Sequence, residues 1–275
     1  MRKDGIYNVT IDEYHNGPGI SRSGLFEFRS KSPLHYWHKY VNPEYKKPEP
    51  IAMITKRNPL EFGNAVHSYV LEKDKFNNEY AVWDGPSRVT KAGKEEWSKF
   101  IAENAGKFIL DAEAFDEIQS FNRAIINDGT AAELVNGGLV EKSLYWTDKD
   151  TGMLCKARPD IYHSNMVVDL KTAADASPNT FERAIYQRGY HIQCAMIHEA
   201  LKNICSINMK DFVFLVVEKS EPYPIGIYKL DEYALEQGVQ EFKETLTEMK
   251  RCYDDNNWQS YPIKTLSIPN YTRSI

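Results

Sequence analysis

The sequence predicts a mixed α/β domain in which helices flank a central sheet of about five strands. Five β-rich segments predict the strands: 139–148, 151–163 and 166–172, then 211–220 and 224–231. Segments with helical periodicity precede, separate and follow these two groups, an order typical of a mixed α/β domain. With 275 residues, 42% of them hydrophobic, the chain can bury a sizeable core.

The first helices are indicated by their start signals. A Gly/Pro/Ser loop over 16–24 precedes a short helix in which we expect Leu25, Phe26 and Phe28 to be partly buried. Residues 32–45 begin at Ser-Pro, a helix-start signal, and end at Asn-Pro.

The remaining helices follow from apolar periodicity. After an exposed, proline-containing loop over 46–60, a helix is predicted over 58–76 because five apolar residues share one broad face: Leu60, Ala65, Val66, Tyr69 and Val70. Residues 80–93 are predicted to be irregular, and 94–127 to form one or two amphipathic helices. A helix over 177–203, interrupted near Gly189, and a last helix over 232–254 before a tail complete the prediction.

We interpret residues 1–275 as one domain with a basic N-terminal arm over 1–60 and a sheet core over 139–231. The net charge of the chain is −5. Residues 1–60 carry ten basic and six acidic side chains, so the arm is basic on an acidic body. This distribution is compatible with a focused nucleic-acid contact beside an acidic metal site, and equally with no nucleic acid at all.

The bulk sequence excludes several classes of protein. No apolar run is long enough to span a membrane, and the first residues, MRKDGIYNVT, contain no apolar signal-peptide core. The four cysteines are scattered without a CxxC pair, which argues against a zinc or iron–sulfur site: Cys155, Cys194, Cys205 and Cys252. We therefore expect reduced, mostly buried thiols and a cytosolic protein.

The stretch ARPDIYHSNMVVDLKT, residues 157–172, predicts a β-hairpin with charged residues on one face. If Ser164 and Asn165 form a two-residue turn, Asp160 lies opposite Asp169, and Arg158 opposite Lys171. Opposed side chains have Cβ atoms roughly 5 Å apart, so two facing carboxylates are unfavourable unless something compensates them.

Two explanations of the facing carboxylates remain open at this point. A wet surface could carry diagonal ion pairs, Arg158 with Asp169 and Asp160 with Lys171. Alternatively, a hard divalent cation sits between the two carboxylates, since Mg²⁺ combines one or two carboxylates with water and substrate phosphate oxygens. Lys171, on the same face, would then reach the phosphate or the attacking water.

The motif Pro159-Asp160 with Asp169-Leu170-Lys171 nine residues later resembles the PD-(D/E)XK nuclease signature. More of the chain, from Gly5 to about Pro269, resembles the RecE-like exonucleases of that superfamily, through segments that occur in the same order: GPGISRSGLFEF, SPLHYWHKY, EFGNAVHSYVLE, TKAGKEEW, ARPDIYH, VVDLKT and YHIQCAMI. The resemblance implies a restriction-endonuclease-like fold and a nuclease domain without the long N-terminal extension of RecE itself.

The resemblance also implies roles for individual residues. The metal ligands would be His67, Asp160, Asp169 and the backbone carbonyl of Leu170, and the catalytic lysine would be Lys171. Many relatives have Glu at the position of Asp169, whereas RecE-like members have Asp. From the residues alone, His67 could equally be an ordinary half-buried helix histidine.

Further residues are implied less strongly. The Tyr-x-x-Gln pair of the family falls on Tyr190 and Gln193, which share a helix face, so that Gln193 could bind a phosphate or orient Lys171. An ordinary solvated glutamine is the alternative. Glu141, on the preceding strand, is a weaker candidate for an acidic site residue.

The segment Ser21 to Ser23 resembles an element that holds the terminal 5′-phosphate in lambda-type exonucleases. Hydroxyl and N–H groups at a helix start can bind a phosphate, and Arg158 could supply the positive charge. We expect Ser21, Ser23 and Arg158 to form this phosphate site. The alternative for Ser21 is a plain helix N-cap.

The function that the resemblance implies is a Mg²⁺-dependent 5′→3′ exonuclease on double-stranded DNA ends, with one or two ions per site and Mn²⁺ as a substitute. It would release mononucleotides and leave 3′ single-stranded tails for recombination by single-strand annealing. The implied partners are a RecT-like annealing protein and further copies of the chain in a ring, most simply a tetramer. The implied setting is the bacterial cytoplasm, with a phage or prophage gene.

Other functions remain open. An endonuclease or a single-strand exonuclease could use the same fold, and only an end-recognising enzyme needs the phosphate site at Ser21 and Arg158. An inactive DNA-binding or assembly module is the alternative from another class. The presence of all five site residues argues against that module: His67, Asp160, Asp169, Lys171 and Gln193.

Overall fold

The computed structural model describes residues 2–48 and 51–267. Part of the predicted loop over 46–60, the end of the predicted tail and the last residues of the family resemblance lie outside the described residues. Among the described residues there is no helix with both the length and the apolar character needed to cross a membrane.

The strands, in chain order, are β1 (Gly5–Tyr7), β2 (Tyr80–Trp83), β3 (Phe108–Asp111), β4 (Leu139–Val140), β5 (Ser143–Thr147), β6 (Leu154–Ala157), β7 (Ile161–His163), β8 (Met166–Ala173), β9 (Asp211–Glu218) and β10 (Ile225–Lys229). The helices are α1 (Ile11–Asn16), α2 (Arg22–Ser30), α3 (Pro33–Tyr36), α4 (Pro59–Leu71), α5 (Lys73–Glu79), α6 (Lys91–Glu103), α7 (Ala112–Asn127), α8 (Gly129–Val135), α9 (Pro178–Gln187), α10 (Tyr190–Cys205) and α11 (Glu232–Asp255), with one π-helical turn at Trp37–Val41.

A five-stranded mixed sheet is the centre of the fold, in the order β10-β9-β8-β7-β4. Strands β8 and β9 are parallel, and the other neighbours are antiparallel. The parallel pair is connected by the helices α9 and α10, because a parallel connection needs a crossover. The predicted fold class, a mixed sheet of about five strands flanked by helices, is confirmed.

The hairpin of β7 and β8 has the register that the sequence predicted. Ile161 pairs with Val168 and His163 with Met166, so that Ser164 and Asn165 form the turn. The ladder ends at Ile161, and Asp160 leaves it to accept a hydrogen bond from the backbone N–H of Leu170 at 2.7 Å. Asp160 therefore stands at the end of the strand rather than directly paired with Asp169.

Both faces of the central sheet are buried. On one face, Val168 and Leu170 of β8 pack with apolar residues of α4 and α7. On the other face, Val167 of β8 and Phe214 of β9 pack with α2, α10 and α11. The apolar face predicted for the hairpin is packed as expected, whereas its charged face is not a wet surface, because helices cover both sides and Asp169 is fully buried.

Several predicted elements divide in the structure. The predicted strand over 139–148 is β4 and β5, and the one over 151–163 is β6 and β7. Strands β5 and β6 lie outside the central sheet, in a separate three-stranded sheet in which β5 is between β1 and β6. The predicted helix over 58–76 is divided into α4 and α5 at Glu72, and Leu60, expected on its buried face, is 70% exposed.

Two predictions before the central sheet were wrong. Residues 80–83, predicted to be irregular, form β2, and residues 108–111, predicted as helix, form β3. These two strands pair in parallel, with α6 between them. The segment over 32–45 contains only the short helix α3 and the π-helical turn.

The N-terminal region is packed against the body of the protein rather than extended as an arm. Leu25 and Phe28 of α2 and Tyr36 of α3 are buried in the same cluster as Trp146 of β5. The start of α2 is thereby fixed next to α10, which positions it at the cavity described below.

Candidate active site

A cavity of about 420 Å³ opens at the end of the central sheet. Most of the residues predicted to act together line it: Ser21, Ser23, His67, Glu141, Arg158, Asp160, Lys171 and Gln193. Their elements approach from different sides, α4 from one face of the sheet and α2 and α10 from the other.

His67 and Asp160 form the first contact of the site. The Nδ1 atom of His67 lies 3.4 Å from Oδ2 of Asp160. Burial alone would lower the pKa of His67, but the charge of Asp160 raises it to about 9. Burial would raise the pKa of Asp160, but His67, Lys171 and the N–H of Leu170 lower it, so this carboxylate stays ionised.

Glu141 completes a three-residue group with His67 and Asp160. One potential ligand atom from each of the three residues lies within 4.8 Å of the others. Glu141 occupies the bend between β4 and β5 with a left-handed φ of 53°, an uncommon conformation for a residue other than glycine. This bend directs the side chain into the cavity, so the weaker candidate from the sequence lies within the ligand group.

Asp169 has a different set of contacts from the one that the sequence suggested. Its Oδ2 atom forms an ion pair with Lys171, and its Oδ1 atom accepts a hydrogen bond from Nε2 of Gln193 at 2.5 Å. Burial raises the pKa of Asp169 in spite of Lys171. Gln193 is therefore directed at Asp169, rather than at Lys171 or solvent.

Lys171 is a cation with only a small part of its side chain exposed to the cavity. Burial lowers its pKa, but the charges of Asp169 and Asp160 outweigh that effect and raise the pKa above the usual value. The diagonal pairs considered from the sequence, Arg158 with Asp169 and Asp160 with Lys171, are not among the ion pairs of the described residues. The wet-surface explanation of the hairpin was therefore wrong.

Arg158 is placed differently from the prediction. Its guanidinium binds Glu141 and donates to Oγ of Ser143 at 2.8 Å and to the backbone carbonyl of Val9 at 3.0 Å. The expectation that it lies opposite Lys171 was wrong, because β6 ends at Ala157 and the chain turns there. Its charge is already compensated by Glu141.

The two serines lie at the start of α2, as expected. Ser21 is the N-cap of α2, and its hydroxyl accepts a hydrogen bond from the N–H of Gly24 at 3.3 Å. Ser23 is exposed and lines the cavity. The alternative of a plain N-cap thus describes the contact that Ser21 makes, and phosphate binding by the two serines stays a prediction.

Between these serines, Arg22 was missed by the sequence analysis. It also lines the cavity, and its guanidinium lies against the ring of Tyr190, with Cζ 5.6 Å from the ring centroid. Nζ of Lys171 lies 5.0 Å from the same centroid. The ring of Tyr190 thus contacts two cations of the site, Arg22 and Lys171. Residue spacing in the sequence does not predict this contact.

The donor set of the cavity fits a divalent cation. A histidine nitrogen and two carboxylates, all within reach of one another, are ligands that magnesium- and manganese-type ions accept. Asp169 already has Lys171 and Gln193 as partners in this arrangement. A metal role for Asp169 and for the carbonyl of Leu170 therefore stays a prediction from the resemblance.

Comparison with known proteins is consistent with this geometry. Residues 25–264 match the family described as PDDEXK-like domain of unknown function (DUF3799), and the chain belongs to that family. A crystal structure described as a "Putative exonuclease" from Eubacterium rectale is similar over 98% of this chain and 100% of its own, with 16% identity and a TM-score of 0.59. That likeness shows a shared fold.

A second crystal structure, described as SSO0001, shares 12% identity over 88% of each chain. Its TM-score of 0.28 is too low to support any conclusion about the fold or the function. No curated protein matches the chain. By family and by the groups in its cavity, the protein is a nuclease of the PD-(D/E)XK class, a class that typically uses divalent metal ions.

Proposed function

We propose that the protein is a Mg²⁺-dependent 5′→3′ exonuclease that acts on the ends of double-stranded DNA. It releases mononucleotides and leaves 3′ single-stranded tails for recombination by single-strand annealing. The observation that carries the proposal is one cavity that contains both the group His67, Glu141 and Asp160 and the start of α2 with its two serines. An enzyme that recognises strand ends needs such a neighbouring site for a terminal phosphate.

Each side chain has a defined part in this reaction. A divalent cation held by His67, Glu141 and Asp160 would supply Lewis acidity toward the phosphate and lower the pKa of a water. The ammonium of Lys171 stabilises the negative charge that develops on the phosphate oxygens. Gln193 holds Asp169, and Asp169 holds Lys171, so that the lysine is in position before the substrate arrives.

The setting of the reaction is part of the same proposal. The partner is a RecT-like single-strand annealing protein, which takes up the 3′ tail. Copies of the chain assemble into a ring, most simply a tetramer, that encloses the DNA and retains it between cuts. The enzyme works in the cytoplasm of a bacterium, encoded by a phage or prophage, with Mg²⁺ as the natural ion and Mn²⁺ as a substitute.

The test uses one linear duplex with 5′-phosphate or 5′-hydroxyl ends and a matched circular duplex, in Mg²⁺ or EDTA. We expect release of mononucleotides from linear DNA in Mg²⁺ only, faster from the 5′-phosphate. Lys171→Ala should lower the rate by about 10²–10³-fold, the usual cost of losing one such stabilising group. Lys229→Ala, which removes an exposed lysine at the edge of the sheet, is the control.

Other outcomes would replace the proposal. Cutting of the circle would indicate an endonuclease, and preference for single strands would indicate a single-strand exonuclease. DNA binding without cutting in any metal would indicate an inactive module.

A further inference from the structure

Four lysine and arginine side chains line the cavity, and among the described residues Arg22 alone of these four has no acidic partner. The other lysines and arginines that line the cavity are all paired: Lys75 with Glu72, Arg158 with Glu141 and Lys171 with Asp169. Among the described residues, no carboxylate lies within 4.0 Å of the Arg22 guanidinium.

The guanidinium of Arg22 is held in place by aromatic and backbone groups. Its Cζ atom lies 5.1 Å from the ring centroid of Phe26 and 5.6 Å from that of Tyr190. Its Nε atom donates to the carbonyl of Gly189 at 3.5 Å. Its Nη2 atom is buried and has no hydrogen-bond partner among the described residues. Aromatic rings fix the plane of the group without using its hydrogen-bond donors.

The surroundings of Arg22 indicate the chemistry of the ligand. Arg22 is half-buried, with its Nη2 atom out of contact with solvent, and removing a cation from water without an ion-pair partner is costly, so burial lowers the pKa of Arg22. The planar fork of a guanidinium matches two oxygens of a phosphate. Arg22 and Lys171 touch the same ring of Tyr190, so their charged groups are no more than 10.6 Å apart, the sum of the two ring distances. One nucleic-acid strand can contact both.

We propose that Arg22 binds a phosphate group of the strand that is being cut, at a position next to the cleavage site. The proposal rests on the nuclease function proposed above and gives to Arg22 the role that the sequence analysis gave to Arg158. Arg158 is unsuited to it, because Glu141, Ser143 and Val9 already use its donors. When the phosphate binds, it supplies the counter-charge that the cavity does not give to Arg22.

The test measures duplex binding by fluorescence anisotropy at several salt concentrations, with Ca²⁺ in place of Mg²⁺. We expect Arg22→Gln to weaken binding. The negative slope of log K against log salt should become shallower by about 0.9, the effect of losing one phosphate contact on duplex DNA. Arg22→Lys should keep the slope and lose part of the affinity. Arg29→Gln is the control, since Arg29 lies on the same helix and pairs with Glu241 outside the cavity.

A stability measurement separates binding from a structural role. Arg22→Met replaces a half-buried cation that has no ion-pair partner by an apolar side chain of similar length, so we expect an unchanged or higher melting temperature together with the same loss of slope. A marked fall in melting temperature with an unchanged slope would show that Arg22 serves the fold and would overturn the proposal. If Arg22→Gln does not fold, Arg22→Met takes its place in the binding measurement.

The two kinds of duplex end identify which phosphate is bound. A loss confined to the 5′-phosphorylated duplex supports the terminal phosphate, and an equal loss with a 5′-hydroxyl end supports an internal one. Wild-type affinity and slope in Arg22→Gln would refute the proposal, as would a wild-type protein that binds no DNA. If the wild type binds but cuts in no metal, the nuclease proposal fails while the slope still decides the role of Arg22.

Discussion

Each of the three acidic side chains at the centre of the site has its own cationic neighbour. Asp160 lies beside His67, Asp169 beside Lys171, and Glu141 beside Arg158. Buried carboxylates remain ionised only with such partners, because removal from water penalises the charge. Of the three, only the His67 partner is itself a potential metal ligand, so a cation that binds there must displace a proton from this histidine.

The pH dependence of metal binding follows from that displacement. The pKa of His67, about 9, lies above its usual 6.5, so the imidazolium persists through neutral pH in the metal-free protein. Metal binding then releases one proton below pH 9. We expect Mn²⁺ affinity, measured by calorimetry, to rise with pH by up to about tenfold per unit between about pH 6.5 and 9, and to level off above that range.

The variant His67→Gln should bind Mn²⁺ more weakly and lose this pH dependence. His38→Gln, which changes an exposed histidine on the π-helical turn, is the matched control and should behave as the wild type. An affinity that is independent of pH in the wild type would contradict the assignment of His67 as the group that exchanges its proton for the metal.

At this scale the sequence predicts which residues meet but not how their charges pair. The register predicted for the hairpin is the observed one, and it brings Asp160 next to the residues around Asp169, where it accepts a hydrogen bond from the N–H of Leu170. The pairing of Arg158 with Glu141 depends on a backbone bend at Glu141, which hydrophobic patterning does not predict. The role of Arg22 was not predictable for a similar reason: only the three-dimensional structure shows that it lines the cavity without an acidic partner.

At the scale of elements, the junction of α9 and α10 determines the position of the site helices. Gly189 has a left-handed φ of 64°, and a Cβ atom there would lie 2.5 Å from the ring of Phe26. Phe26 is one of the two rings that hold Arg22. The helix interruption near Gly189, which the sequence predicted, is therefore also a point of close contact with α2.

Gly189→Ala should accordingly be destabilising. The left-handed conformation alone costs an alanine about 1–2 kcal/mol, and the contact with Phe26 adds to this. We expect a loss of about 2 kcal/mol or more in the free energy of unfolding, measured by urea denaturation. Gly63→Ala in α4 is the control, because a Cβ atom there meets nothing within 4 Å, and it should be stabilising by about 0.5–1 kcal/mol. Equal stability of Gly189→Ala and the wild type would refute this view of the junction.

The long elements were predictable and the short ones were not. The strand β8 and the helix α11 are long enough for their apolar pattern to be evident. Strands β2 and β3 have only four residues each and lie between helices, so two periods of side-chain alternation do not stand out from the helical pattern on either side. The same limit applies to β1, whose three residues are paired with β5 across more than a hundred residues of chain.

At the scale of the whole molecule, the site joins parts of the protein that are otherwise packed in different clusters. His67 is on α4, which packs on one face of the sheet, and the start of α2 packs on the other. Glu141 and Asp160 lie at strand ends between them. A cation bound by all three ligands would link a helix on one face to the edge of the sheet, and thereby stabilise the native state as a whole.

We therefore expect a divalent cation to raise the melting temperature. At a free Mn²⁺ concentration about 100 times its Kd, the gain is about 2.7 kcal/mol, which for a chain of this size corresponds to about 5–10 °C. Scanning calorimetry in Mn²⁺ and in EDTA at matched ionic strength measures the shift. Asp160→Asn keeps the shape of the side chain but removes a charged ligand, so its melting temperature should respond little to Mn²⁺. A shift as large as that of the wild type would place the stabilising ion elsewhere on the protein.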